Sequence, residues 1–164
     1  MIRSAVEKDA SRLAEIHIFG WRTAYKGIIS DEILFKSLQV NKRIATFEKA
    51  IKEKKEETLV FEENGIIKAF MTIGKSRNED KKNAFELWGI YVDPGFKRTG
   101  IGRKLLRRCE ETAKERNYTE NILWVLKDNK PARSFYEKMG YEPDGKEEII
   151  KKYNVKEIRY TKKI

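Results

Sequence analysis

The residues best placed to do chemistry lie between Asp93 and Leu106, in the stretch DPGFKRTGIGRKLL, directly after the apolar run FELWGIYV. Lys97, Arg98, Thr99, Gly100, Ile101 and Gly102 join the end of a strand to the start of a helix, and Arg103 and Lys104 follow. Glycine lets a backbone turn tightly and bring its amides close to an anion, and a helix N-terminus adds partial positive charge. The spacing separates the kinds of phosphate loop. A Walker loop needs Lys and then Ser or Thr after its last glycine, but Ile101 and Gly102 follow Gly100 and leave no place for the metal-binding hydroxyl. A dinucleotide fingerprint needs a third Gly or Ala three residues after Gly102, where Leu105 stands.

A second motif lies downstream, in DNKPARSFYEKMGYE: Asn129, Ala132, Phe135, Tyr136, Gly140 and Tyr141. With the order basic residue, two residues, Gly, one residue, Gly at Lys97 to Gly102, the chain resembles the GNAT superfamily of N-acetyltransferases. Lys97 stands where that family usually has Gln or Arg. The resemblance implies acetyl-CoA as acetyl donor and no metal. The amides and cations of Lys97, Arg98, Thr99, Gly100, Ile101, Gly102, Arg103 and Lys104 would hold the pyrophosphate. The backbone of Ile90, Tyr91 and Val92 would receive the pantetheine arm and the thioester carbonyl, as an oxyanion donor. Asn129, Ser134, Tyr136 and Lys138 would complete the cofactor contacts. Tyr136 would be the general acid for the departing thiolate, since a phenol near pKa 10 keeps its proton. Glu86 would be a general base, as in some members, or an ordinary polar position paired with a lysine.

The acceptor amine would be bound by the segment IHIFGWRTAYKGIISDEIL, with Trp21, Tyr25, Glu32 and Glu86 as its candidate contacts. Ring faces attract a cation, although core packing accounts equally well for Trp21 and Tyr25. The pattern Trp21, three residues, Tyr25, one residue, Gly27-Ile28-Ile29 looks like the start of Pai-type polyamine acetyltransferases, which implies a small-molecule amine such as spermidine or spermine. Alternatives are a peptide or protein N-acetyltransferase and a regulatory module that senses CoA or binds nucleic acid. His17 reads as a packed residue rather than a base, and Cys109 as a small apolar one.

The elements that must position these groups fit one domain of 164 residues, 40% hydrophobic and 38% charged. The net charge is +10, but Lys and Glu interleave along most of the chain, the pattern of solvated helix faces, so nucleic acid is not expected as a partner. One Cys and one His exclude an internal disulfide and a His cluster. With neither a leader nor a membrane span in the sequence, the expected location is the cytoplasm, as a monomer or homodimer.

The pattern predicts a strand at 1–6, a helix capped by Asp9, an aromatic elbow with a short second helix, and a helix over 41–54. A hairpin turning at Asn64-Gly65 follows, then a polar loop and a strand over 85–92. The helix after the glycines, a buried strand at NILWVL, a helix ended by Gly140 and a last antiparallel pair complete the chain. The class is mixed α and β. The resemblance implies a single α/β (α+β) domain over 1–164, its mixed, mostly antiparallel sheet splayed at the acetyl-CoA site and flanked by helices.

Overall fold

The computed structural model describes residues 1–54 and 56–164. Seven strands form one sheet: β1 Ile2–Ser4, β2 Glu57–Glu63, β3 Ile66–Lys75, β4 Phe85–Val92, β5 Glu120–Leu126, β6 Glu142–Ile150 and β7 Val155–Lys163. Their order is β1-β2-β3-β4-β5-β7-β6, antiparallel at every step except β4 to β5, which run parallel. The helices are α1 Ala10–Ala24, α2 Val40–Glu53, α3 Ile101–Glu115 and α4 Lys130–Lys138, with a short π-helix at Glu32–Ser37.

Alternation along the strands sorts the apolar side chains to the two faces of the sheet. Val60, Ile67 and Phe70 pack under Leu13, Ala14 and Ile16 of α1 and Phe47 of α2. Leu59, Ala69, Met71, Phe85, Leu87, Leu123, Ile158 and Tyr160 face the other way and meet Leu105, Leu106, Cys109 and Ala113 of α3. Each aliphatic side chain buried this way contributes about 1.5–3 kcal/mol. A third cluster gathers Ile29, Leu34, Leu126 and Val155 with the partly buried Trp21, Tyr25 and Tyr153, and Arg22 ties the π-helix to α1 by donating to the Leu34 carbonyl at 2.9 Å.

Two expectations change in detail. The first strand stops at Ser4. Asp9 stands at the start of α1 but does not cap it: its carboxylate turns back to accept the Val6 amide at 2.9 Å and a guanidinium bond from Arg3 at 2.7 Å. The last two strands pair as expected, but β7 inserts between β5 and β6, so the later strand is the inner one.

Buried charge is compensated. The Glu86 carboxylate, 1% exposed, accepts the Arg77 amide at 2.8 Å and two bonds from its guanidinium at 2.5 and 3.1 Å. Removing one partner of such a pair strands the other. Arg77→Ala is therefore expected to lower stability in urea by about 3 kcal/mol, whereas Lys82→Ala, which breaks an exposed pair with Glu79, should change it by less than about 0.5 kcal/mol.

Among the described residues five carboxylates are held low in the folded chain: Glu63 by Lys68 and Glu147 by Lys127 at the surface, and Asp80, Asp9 and Glu120. Arg159 holds Asp80 down at about 2. In Asp9 and Glu120 burial pushes the value up, but bonds from Arg3 and the Val6 amide, and from Lys81 and Thr161, outweigh it and leave both lowered. A lowered folded value favours folding above the ordinary carboxylate range near 4, and that contribution is lost as pH falls through the folded value. Melting temperature should therefore fall steadily between about pH 4 and pH 2, and an Asp80→Asn variant should show a shallower decline.

Candidate active site

The site is set by what β4 does after Leu87. Against β3 its register runs Gly74 to Glu86 and Ile73 to Leu87, then jumps to Thr72 opposite Gly89, so Trp88 has no partner and forms a bulge. The Trp88 indole lies over Gly74 and donates to the Lys75 carbonyl at 3.3 Å, with the Arg77 guanidinium 4.5 Å from its ring centre.

One extra residue reverses the alternation. Leu87 faces α3 before the bulge, and Ile90 and Val92 face it afterwards, which sends Tyr91 to the α1 face already occupied by Glu86. Gly89 makes room for this, because a Cβ there would stand 3.0 Å from the Tyr91 ring.

On its other side β4 pairs with β5 for three residues only, Phe85 to Leu87 against Asn121 to Leu123, and then the two strands part. Asp93 donates its amide to the Lys68 carbonyl of the β3 side at 2.9 Å. Because successive residues point their backbone groups to opposite edges, Tyr91 also turns its amide to β3, while Ile90 and Val92 present N–H and C=O to the open gap. Of the three backbone positions expected to receive the donor, Ile90 and Val92 thus have the required orientation. Tyr91 does not, because its amide belongs to the β3 ladder.

The loop after β4 is fixed at its entry. Asp93 accepts the Gly95 amide at 2.8 Å and an Arg12 guanidinium bond at 2.5 Å, which ties the loop to α1. Arg98 and Gly100 take left-handed φ of 63° and 82°, a conformation glycine adopts freely, and these turns deliver the chain into α3. The first helical bond runs from the Lys104 amide to the Gly100 carbonyl at 3.1 Å. The amides of Ile101, Gly102 and Arg103 therefore point out of the helix end without intrahelical partners. Lys97, Arg98 and Arg103 are exposed, and among the described residues no carboxylate pairs with them or with Lys104. Phe135 of α4 would lie 3.5 Å from a Cβ on Gly102, so α4 packs directly on the loop. Thr99 is exposed, its hydroxyl donating to the Phe96 carbonyl at 2.6 Å.

Tyr136 lies on the inner face of α4, 8% exposed, beside Phe135 and Tyr141. Burial first, then Tyr91 and Cys109, pushes its phenol well above the ordinary value, so the proton stays on oxygen at neutral pH. Asn129 caps α4 by accepting the Ala132 amide at 3.3 Å, while Ser134 and Lys138 stand exposed on its outer side.

Across the gap, Trp21 packs edge-on to Tyr25 and Tyr153 at 5.1 and 5.5 Å and donates to the Tyr91 hydroxyl at 3.4 Å. Burial raises the Tyr25 phenol well above 10, and Tyr91, Tyr136 and Glu157 raise it further. Trp21 thus joins the Tyr25 and Tyr91 rings, and Tyr136 and Glu157 are near enough to act on the Tyr25 phenol through their charge. Glu32 does not join them, being exposed at the start of the π-helix, where the chain turns its apolar Ile33 and Leu34 inward instead. His17 is packed as expected: it is 5% exposed among Trp21, Phe47 and Tyr91, and burial pushes it down to about 3.

Sequence reasoning overlooks Glu157, Arg77 and a cavity of about 160 Å³ lined by Trp21, Tyr153, Lys42, Arg43 and Lys152. Only the alternation of Val155, Glu157 and Arg159 opposite Ile158 and Tyr160 hints that a carboxylate shares the face of the site.

The arrangement fits coenzyme A on three counts: outward amides at a helix start, unpaired cations around them, and an unpaired strand edge leading inward to a buried phenol. Comparison with known proteins agrees. The sequence pattern of the Acetyltransferase (GNAT) family matches residues 13–141. An uncharacterised N-acetyltransferase of Bacillus subtilis, YuaI, is 30% identical over 145 residues, covering 87% of this chain and 79% of its own. A spermidine N(1)-acetyltransferase of Thermoplasma acidophilum is 27% identical over 161 residues, covering 92% and 95%. The crystal structure of the PaiA N-acetyltransferase of Thermoplasma acidophilum in complex with coenzyme A superposes with a TM-score of 0.81 over 100% of this chain and 98% of that one, at 22% identity. A phosphate-cradling loop, a parted sheet and a family match over most of the chain lead to one conclusion: the chain belongs to the GNAT family of acetyltransferases.

Proposed function

We propose that the protein transfers an acetyl group from acetyl-CoA to a primary amine of a small molecule, with a polyamine such as spermidine as the leading acceptor, by direct attack in a ternary complex. The observation that carries this reading is the parting of β4 from β5 beside the α3 loop, with Tyr136 at its inner end. Acetyl-CoA supplies an activated thioester. The chain's residues do the rest. The Ile101, Gly102 and Arg103 amides with Lys97, Arg98 and Lys104 bind the pyrophosphate, and Thr99 and Gly100 shape the loop. Ile90 and Val92 hold the pantetheine arm along the free edge of β4, and an amide there stabilises negative charge on the carbonyl oxygen. Burial keeps the Tyr136 phenol protonated, so it is present as a donor to the departing sulfur, and the proton it gives up is replaced at once by one the nitrogen sheds.

The spermidine acetyltransferase of Thermoplasma acidophilum, alignable with nearly the whole chain, supports a polyamine acceptor, as does the aromatic wall of Trp21, Tyr25 and Tyr153. One observation favours a second reading. The cavity beside that wall carries Lys42, Arg43 and Lys152, which suits an acceptor bearing a carboxylate, an amino acid or a peptide end.

The test is to incubate the protein with acetyl-CoA and a panel of amines and to measure released thiol. Saturable turnover on spermidine and spermine, at least tenfold above that on amino acids, is the expected result. Preference for amino acids or N-terminal peptides selects the second reading, and equal rates across the panel reject both. In the same assay Tyr136→Phe should lower kcat by about a hundredfold with little change in KM for acetyl-CoA. Full turnover by that variant removes Tyr136 as the acid.

A further inference from the structure

Glu86 and Glu157 approach the acceptor side of the site from the same face of the sheet, and they differ in what holds them. Glu86 is engaged by the Arg77 guanidinium and amide, with the Asn78 side chain donating at 3.4 Å. Its carboxylate oxygens are thus already taken up by donors of the chain itself. Glu157 lies on β7 opposite Leu126, three residues beyond the point where β5 loses β4. Its strand neighbours Ile158 and Tyr160 turn to the α3 core, so Glu157 turns to the opposite face, where Leu126 and Val155 meet Trp21, Tyr25 and Tyr153. It is partly buried there, and among the described residues no cation pairs with it.

Resting on the acetyl-transfer reading above, we propose that Glu157, rather than Glu86, is the carboxylate that receives the acceptor's ammonium and takes its proton. The groups that face it are the Tyr25 phenol from the residue that ends α1, Glu148 from β6, Glu86 from β4, and Arg77 from the loop before β4. Burial first, then Glu148, raises its affinity for a proton; Arg77 opposes them, and Glu86 adds the smallest raising effect. A carboxylate raised in this way is a better base than an ordinary one.

The protons and bonds balance. One ammonium proton passes to a Glu157 oxygen and from there to solvent. The freed amine lone pair forms the N–C bond to the acetyl carbon, and the C–S bond breaks with its electron pair going to sulfur. Tyr136 protonates the sulfur and is reprotonated by the second proton that the nitrogen sheds. Glu157 also supplies local negative charge, which a chain of net charge +10 needs in order to admit a cation.

The experiment is the pH dependence of acetyl transfer by wild type, Glu157→Gln and Glu157→Asp, with melting temperatures to confirm that all three fold. The wild-type kcat/KM for the amine should rise with pH through an apparent value above that of an ordinary glutamate. Glu157→Gln should lose about a hundredfold at pH 7, keep its KM for acetyl-CoA, and recover as pH approaches the amine's own value near 10, where free amine no longer needs a base. Glu157→Asp should retain an intermediate rate.

Turnover by Glu157→Gln within threefold of wild type at pH 7, or an equal loss in both variants at every pH, overturns the proposal and leaves the acetyl-transfer reading standing. Absence of wild-type turnover on any amine overturns both.

Discussion

Two parallel strands that pair for three residues and then part are the constraint on which the rest of this structure depends. A parallel sheet edge is ordinarily buried and fully paired, because an unsatisfied backbone group away from water is costly. Here β4 keeps its pairing with β3 but releases β5, so the N–H and C=O groups of Ile90 and Val92 are left for a ligand to satisfy. The bulge at Trp88 has a second effect: by reversing the alternation it places Tyr91 and Glu86 on one face and Ile90 and Val92 on the other. The acceptor face and the donor edge of the site both follow from one extra residue.

Charge is distributed to match. Where a cation or carboxylate serves the fold it has a partner: Arg12 with Asp93 fixes the loop's entry, Arg77 with Glu86 lies behind the bulge, and Arg159 joins Asp80 and Asp144 across the sheet. The cations around Gly100 and the carboxylate of Glu157 are unpaired among the described residues, and they stand at opposite ends of the gap. Such a distribution of charge suits a reaction between a phosphorylated donor and an amine.

Much of this was legible in the sequence. The strand at Phe85–Val92 and the turn at Asn64-Gly65 stand where alternation and turn chemistry predict them, and α3 and α4 start where glycine and Asn129 imply. The placement of the glycine loop before a helix and of Tyr136 on the next helix was readable because both depend on local spacing. The engagement of Glu86 was not readable in its partner, because Arg77 lies in a loop whose path spacing does not reveal. Glu157 was hidden for a related reason: its face of the sheet depends on β7 lying between β5 and β6, a long-range pairing. Glu32, placed by its charge alone, was excluded because the π-helix spends its inner face on Ile33 and Leu34.

The central claim is that the free edge of β4 and the outward amides of α3 form a single binding track for coenzyme A. Amide hydrogen exchange with and without coenzyme A tests it directly. Without ligand, Tyr91 should exchange slowly and Ile90 and Val92 quickly, and ligand should slow Ile90, Val92, Ile101, Gly102 and Arg103 together. Unchanged exchange at Ile90 and Val92 on saturation with coenzyme A, or slow exchange there before it is added, would contradict the account.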